Sequence, residues 1–86
     1  MVDGEDSPMQ TFFVEIKCAL GRTYEVANAL AQAEIASEIY SIAGSYDILA
    51  KFYVGKEVDI GRFIGENVHA ISGILDTRTI IAFKAF

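Results

Sequence analysis

Two short segments hold the side chains best suited to chemistry: Gly44-Ser45-Tyr46-Asp47 and Thr77-Arg78-Thr79. In the first, Gly44 allows backbone freedom that a residue with a Cβ lacks. Backbone N–H groups of such a turn can hold a carboxylate, and the Asp47 carboxylate can take an ammonium. A small amino acid carries both groups. The same Asp47 could instead only satisfy its own turn, a common use of aspartate. Thr77 and Thr79 lie two residues apart, so on a strand their hydroxyls share a face and could enter one cleft. Threonine is also a good strand former, which needs no ligand. Tyr40 and Tyr46 could line the cleft or pack at strand ends.

The remaining reactive types point away from catalysis. Cys18 alternates with Phe12, Val14 and Ile16, so a buried, inert thiol is expected. His69 is the one histidine, and no second polar group is placed by sequence to orient it as an acid or base. Arg78 stands two residues from Asp76, and an exposed ion pair of little energetic weight is the expectation there. A single cysteine excludes an internal disulfide, and no ligand set for structural zinc is present. No catalytic residue, metal or cofactor is expected.

Composition narrows the class further. Eighty-six residues allow one domain, and 52% hydrophobic content is too apolar for a disordered chain. No apolar run approaches the roughly 18 residues needed to cross a bilayer. The opening segment is acidic and polar, unlike a signal peptide, so a cytoplasmic protein without membrane contact is expected. A formal charge of −5, with seven scattered basic residues, argues against direct nucleic-acid contact. A core this small contributes about 3–5 kcal/mol of net stability, so a staple is needed. Association with other copies would supply it and cover the surplus apolar surface.

Along the chain, residues 1–10 read as a disordered acidic tail. Residues 11–18 alternate with period two, a strand with Phe12, Val14, Ile16 and Cys18 on one face. Thr23 reads as an N-cap for a helix over residues 23–33, with Val26, Ala27, Leu30 and Ala33 at helical spacing. Residues 35–43 and 47–54 read as an antiparallel pair joined at Gly44. Asp59 caps a second helix, in which Ile60, Phe63, Ile64, Val68 and Ile71 recur at helical spacing until Ser72-Gly73. A fourth strand follows over residues 74–86. The order βαββαβ predicts an α+β, ferredoxin-like sandwich: a four-stranded antiparallel sheet with two helices on one face.

The opening Phe13-Val14-Glu15-Ile16 strand, Gly21, the Gly44-Ser45-Tyr46-Asp47 turn, Ile71-Ser72-Gly73-Ile74 and Thr77-Arg78-Thr79 form a set. With that set, residues 11–86 resemble the ligand-binding and oligomerisation domain (the RAM domain) of the leucine-responsive/AsnC, or Lrp/AsnC, transcription regulators. The resemblance implies dimers formed through the sheets and assembled into tetramers or octamers. It implies a small effector, usually an amino acid, bound between dimers. Carried over by motif, the effector-binding residues would be Gly44, Tyr46, Asp47, Thr77 and Thr79. The family's N-terminal winged helix-turn-helix finds no match, so a stand-alone module is expected, with co-assembly with full-length Lrp/AsnC regulators as one route to transcription. Two rival readings stand beside it: a dimeric α/β-barrel enzyme of monooxygenase or isomerase type, and an assembly module without a ligand.

Overall fold

A computed structural model describes residues 9–86. The tail expected over residues 1–10 lies outside the described residues except for Met9 and Gln10, which open the first strand. The elements are β1 (Met9–Cys18), α1 (Thr23–Ala33), β2 (Glu38–Ser41), β3 (Ile48–Gly55), α2 (Ile60–Asn67) and β4 (Ile74–Ala82). All neighbouring strands are antiparallel, in the order β2-β3-β1-β4. This is the predicted ferredoxin-like sandwich.

Alternation in the two central strands builds the core. Phe12, Val14, Ile16 and Cys18 of β1 are buried, as are Ile48, Ala50, Phe52 and Val54 of β3. Val26 and Leu30 of α1, with Ile64 of α2 and Val68 just beyond it, close over that face. Phe12 and Phe52 are register partners, and their rings stack at 5.0 Å. Phe63 meets both edge-on, at 5.9 and 5.8 Å. Each buried aromatic of this kind contributes about 1.5–3 kcal/mol.

Several boundaries differ from the sequence expectation. The helix over residues 23–33 has its expected bounds, but Thr23 is its first residue and not its N-cap: Val26 N–H bonds the Arg22 carbonyl at 3.0 Å, and Arg22 holds the cap position without a side-chain bond. Asp59 does cap α2, its carboxylate accepting the Arg62 N–H at 3.2 Å. That helix ends at Asn67, before Val68 and Ile71. The chain then turns, with the Val68 and His69 N–H groups both on the Ile64 carbonyl. Strand β2 has four residues. Before it, Glu34 closes α1 in a left-handed conformation, φ 57°.

Gly73 shows why a glycine is needed before β4. Its φ is +98°, and a Cβ there would lie 3.1 Å from Arg22 Cζ and from Val26 Cγ2. Ala19 N–H bonds the Gly73 carbonyl at 2.7 Å, and Arg22 donates to Ser72 Oγ at 3.0 Å and also pairs with Glu25. The loops entering α1 and β4 are thereby locked together.

The opposite sheet face carries no helix. Phe13, Tyr53, Ile80 and Leu49 lie on it among three cross-strand partnerships of opposite charge: Glu15 with Arg78, Lys17 with Asp76, and Glu38 with Lys51. Tyr53 and Ile80 are 47% and 41% exposed. Beyond β4, Phe83 and Phe86 are almost fully exposed. No helix among the described residues is long and apolar enough to cross a membrane.

Candidate functional site

Three loops meet at one end of the sheet: the β1–α1 loop, the 42–47 turn and the segment entering β4. Gly44 reaches φ +118°, where a side chain would be strained even though the space is open. That freedom lets the turn fold back so that Asp47 lands on the end of β1. The Asp47 N–H donates to the Ile16 carbonyl at 2.9 Å, and its Oδ2 accepts the Cys18 N–H at 2.8 Å. The Ile42 N–H donates to the Asp47 carbonyl at 3.0 Å, closing the turn. Asp47 therefore ties the β2–β3 turn to β1 through both its backbone and its side chain.

Cys18 lies beneath this tie, 5% exposed. Burial raises its thiol pKa, a Thr23 hydrogen bond lowers it, the Asp47 charge raises it, and Lys17 lowers it. The net direction is upward, which disfavours the nucleophilic thiolate.

Tyr46 leaves the turn on the helix-free side. Its ring lies over the Arg78 guanidinium, 5.7 Å from ring centroid to Cζ. Arg78 does not pair with Asp76 as expected. Its Nε donates to Glu15 Oε1 at 2.6 Å, because Glu15 faces it directly across the β1–β4 ladder. Residues two apart on a strand are farther from one another than direct cross-strand partners.

Thr77 and Thr79 do share a face, and it is the helix-bearing one: they pair with the buried Ile16 and Val14. The Thr77 hydroxyl is 2.9 Å from His69 Nε2. Thr79 is exposed, as is Ile81 at 48%, because the helices do not reach this edge of the sheet. Gly44, Tyr46 and Asp47 thus come together, and Thr77 flanks the same end of β1 from the other side. Tyr46 and the two threonines occupy opposite faces.

The surface carries two open grooves. One of about 450 Å³ is lined by His69, Ile74, Leu75, Asp76 and Thr77. Another of about 800 Å³ lies at the far end of the sheet, lined by Phe13, Lys51 and Tyr53 of the helix-free face and by Ile81, Phe83 and Lys84 at the end of β4 and beyond. Neither includes Gly44, Tyr46 or Asp47. Among the described residues no group of three His, Cys, Asp or Glu side chains is arranged to hold a metal ion. Sequence reasoning weighed His69 and set it aside for want of a polar partner, and it gave Glu15 no partner. Glu15 had an outward position as its signal, but its partner depends on strand register. His69 reaches Thr77 only because the chain turns after Asn67.

Residues 11–86 match the family model described as the Lrp/AsnC ligand binding domain. Over 72 residues the chain is 31% identical to the HTH-type transcriptional regulator FL11 of Pyrococcus abyssi, covering 84% of this chain and 47% of that protein. It thus spans about half the length of this curated relative. Among solved structures, TTHA0845 of Thermus thermophilus superposes with a TM-score of 0.81 at 26% identity, covering 90% of this chain and 96% of that one. A complex of the Neisseria meningitidis transcriptional regulator NMB0573 with L-Met shares the fold, with a TM-score of 0.78 at 13% identity over 98% of this chain and 56% of that one. By the match across nearly its whole length, the chain belongs to the Lrp/AsnC ligand binding domain family.

Proposed function

We propose that this domain senses a small effector, an amino acid, at sites completed between copies of itself, and modulates transcription regulators through protein contacts rather than catalysis or direct DNA binding. One observation carries the reading. Gly44, Tyr46, Asp47 and Thr77 gather at one end of the sheet, with Thr79 one step farther along β4, and Tyr46 and the threonines lie on opposite faces, so a pocket that uses both sets needs walls from a neighbouring copy. The helix-free face, with Phe13 half-buried and Tyr53 and Ile80 exposed, is suited to form a dimer, and dimers would then assemble into tetramers or octamers. The Neisseria regulator of the same fold was captured with L-Met, which makes amino acids the first ligands to try. In a cytoplasmic setting the module would act by co-assembling with full-length Lrp/AsnC regulators. An enzyme of the dimeric-barrel type would call for an enclosed pocket within each subunit. Both grooves described above are open.

A thermal-shift screen against the twenty amino acids tests this reading. A ligand present at 100 times its dissociation constant adds about 2.7 kcal/mol, a rise of about 10–20 °C in a domain of this size. One or a few clear shifts are expected. A flat panel would leave a ligand-free assembly module in place of the sensor.

A further inference from the structure

The turn assigned to the effector and the face assigned to self-association are joined by three side chains. Arg78 stands opposite Glu15 on the helix-free face, and its Nε donates to Glu15 Oε1 at 2.6 Å. The Glu15 side chain is only 19% exposed, against 63% for Arg78, so the carboxylate is the fixed partner and the guanidinium the exposed one. A guanidinium held along its edge by a carboxylate keeps its planar face for an aromatic ring. Tyr46 supplies that ring, 5.7 Å from Arg78 Cζ. To do so it reaches from the turn before β3, across the end of β1, to β4.

The Asp47 bonds to Ile16 and Cys18 anchor the backbone of the turn. The Tyr46 side chain is then the part of the turn that extends over the helix-free face. A change in the turn alters how Tyr46 covers Arg78. A second copy placed on that face, in turn, desolvates Arg78 and makes the geometry of its partners count for more.

We propose that Arg78, itself held by Glu15, is the positioning residue of Tyr46, and that Glu15, Arg78 and Tyr46 form the link through which occupancy of the 44–47 turn is felt at the self-association face. The regulatory half rests on the proposed function above; the positional half needs no ligand. The test uses the full chain with 13C-labelled tyrosine rings, in wild type, Arg78→Met, Arg78→Lys and Glu15→Gln, with self-association followed by sedimentation equilibrium. Arg78→Met is expected to move the Tyr46 resonances, and Arg78→Lys to move them less because a cation remains. Glu15→Gln is expected to move them although Glu15 acts on Tyr46 only through Arg78. Far-UV circular dichroism of each variant checks that the fold is intact, and Tyr24, 86% exposed on α1 and away from this face, stays unmoved. Self-association is expected to weaken at least fivefold in Arg78→Met and less in the other two, in the order of the Tyr46 displacements. Tyr46 resonances unmoved by Arg78→Met or Glu15→Gln would overturn the proposal, and so would displaced resonances with unchanged association. These variants are read without ligand, so a flat amino-acid panel would sink the effector reading and leave this result standing.

Discussion

Replacement of Asp47 by alanine removes a charged acceptor from the Cys18 N–H while leaving the backbone bonds of the turn in place. Hydrogen bonds to charged groups contribute about 1.5–3 kcal/mol, and an amide left without a partner in a buried place adds its own desolvation cost. Cys18 is 5% exposed, so water does not readily replace the lost acceptor. Asp47 itself is half-buried, which holds the estimate to the middle of the range, about 2 kcal/mol. In a domain of this size that is a fall in Tm of about 8–16 °C. Asp47→Asn keeps a neutral acceptor oxygen in the same place and is expected to lose about half as much. Thermal and urea denaturation at one fixed protein concentration measures both, since an oligomer's stability depends on concentration. An alanine variant within about 0.5 kcal/mol of wild type, or an asparagine variant as unstable as alanine, would show that this bond does not hold the turn to β1. Any loss of effector affinity in Asp47→Ala should therefore be compared with Asp47→Asn before it is assigned to lost ligand contact.

Gly73→Ala combines a left-handed backbone with crowding against Arg22 and Val26, and is expected to cost about 1–3 kcal/mol by urea denaturation. Because Arg22→Ala by itself also removes the bonds to Ser72 and Glu25, the comparison is a double-mutant cycle: Gly73→Ala should cost less in the Arg22→Ala background than in wild type, and an equal cost would mean that crowding against Arg22 adds nothing. For Cys18 the folded state favours the neutral thiol, so the unfolded chain ionises first, from the ordinary value of 9.0. That contribution is full below pH 9.0 and lost as pH rises through the higher folded value. The urea midpoint of wild type should then fall more steeply with alkaline pH than that of Cys18→Ala; parallel curves would contradict the burial argument.

Elements whose cause is local were legible in the sequence. The bounds of α1, the alternation of β1 and β3, and the Asp59 cap follow from spacing and from chemistry within a few residues. The end of α2 did not. Val68 and Ile71 continue a helical apolar rhythm because both pack on the core, and the turn after Asn67 keeps them there without helical geometry. Periodicity there recorded burial rather than conformation. The surroundings of the motif residues were harder still. The pairing of Arg78 with Glu15 depends on which residues β1 and β4 set opposite one another, and the sequence of β4 alone favours Asp76. Equally, the shared face of Thr77 and Thr79 could be read from their spacing, but not that Tyr46 extends to the other face.

The paired charges of the helix-free face have a consequence for how copies meet. Glu15, Asp76 and Glu38 are matched there by Arg78, Lys17 and Lys51, so the strand charges of this face cancel on a chain of net charge −5. Among the described residues the other carboxylates, Glu25, Glu34, Asp47, Glu57, Asp59 and Glu66, stand on helices and loops. Two chains approaching through those surfaces repel one another, whereas approach sheet to sheet meets almost no electrostatic barrier. Raising the salt concentration should therefore quicken encounters through the other surfaces far more than sheet-to-sheet encounters. In the assembly proposed above, charge placement would then favour sheet-paired dimers first, with larger oligomers gaining as ionic strength rises.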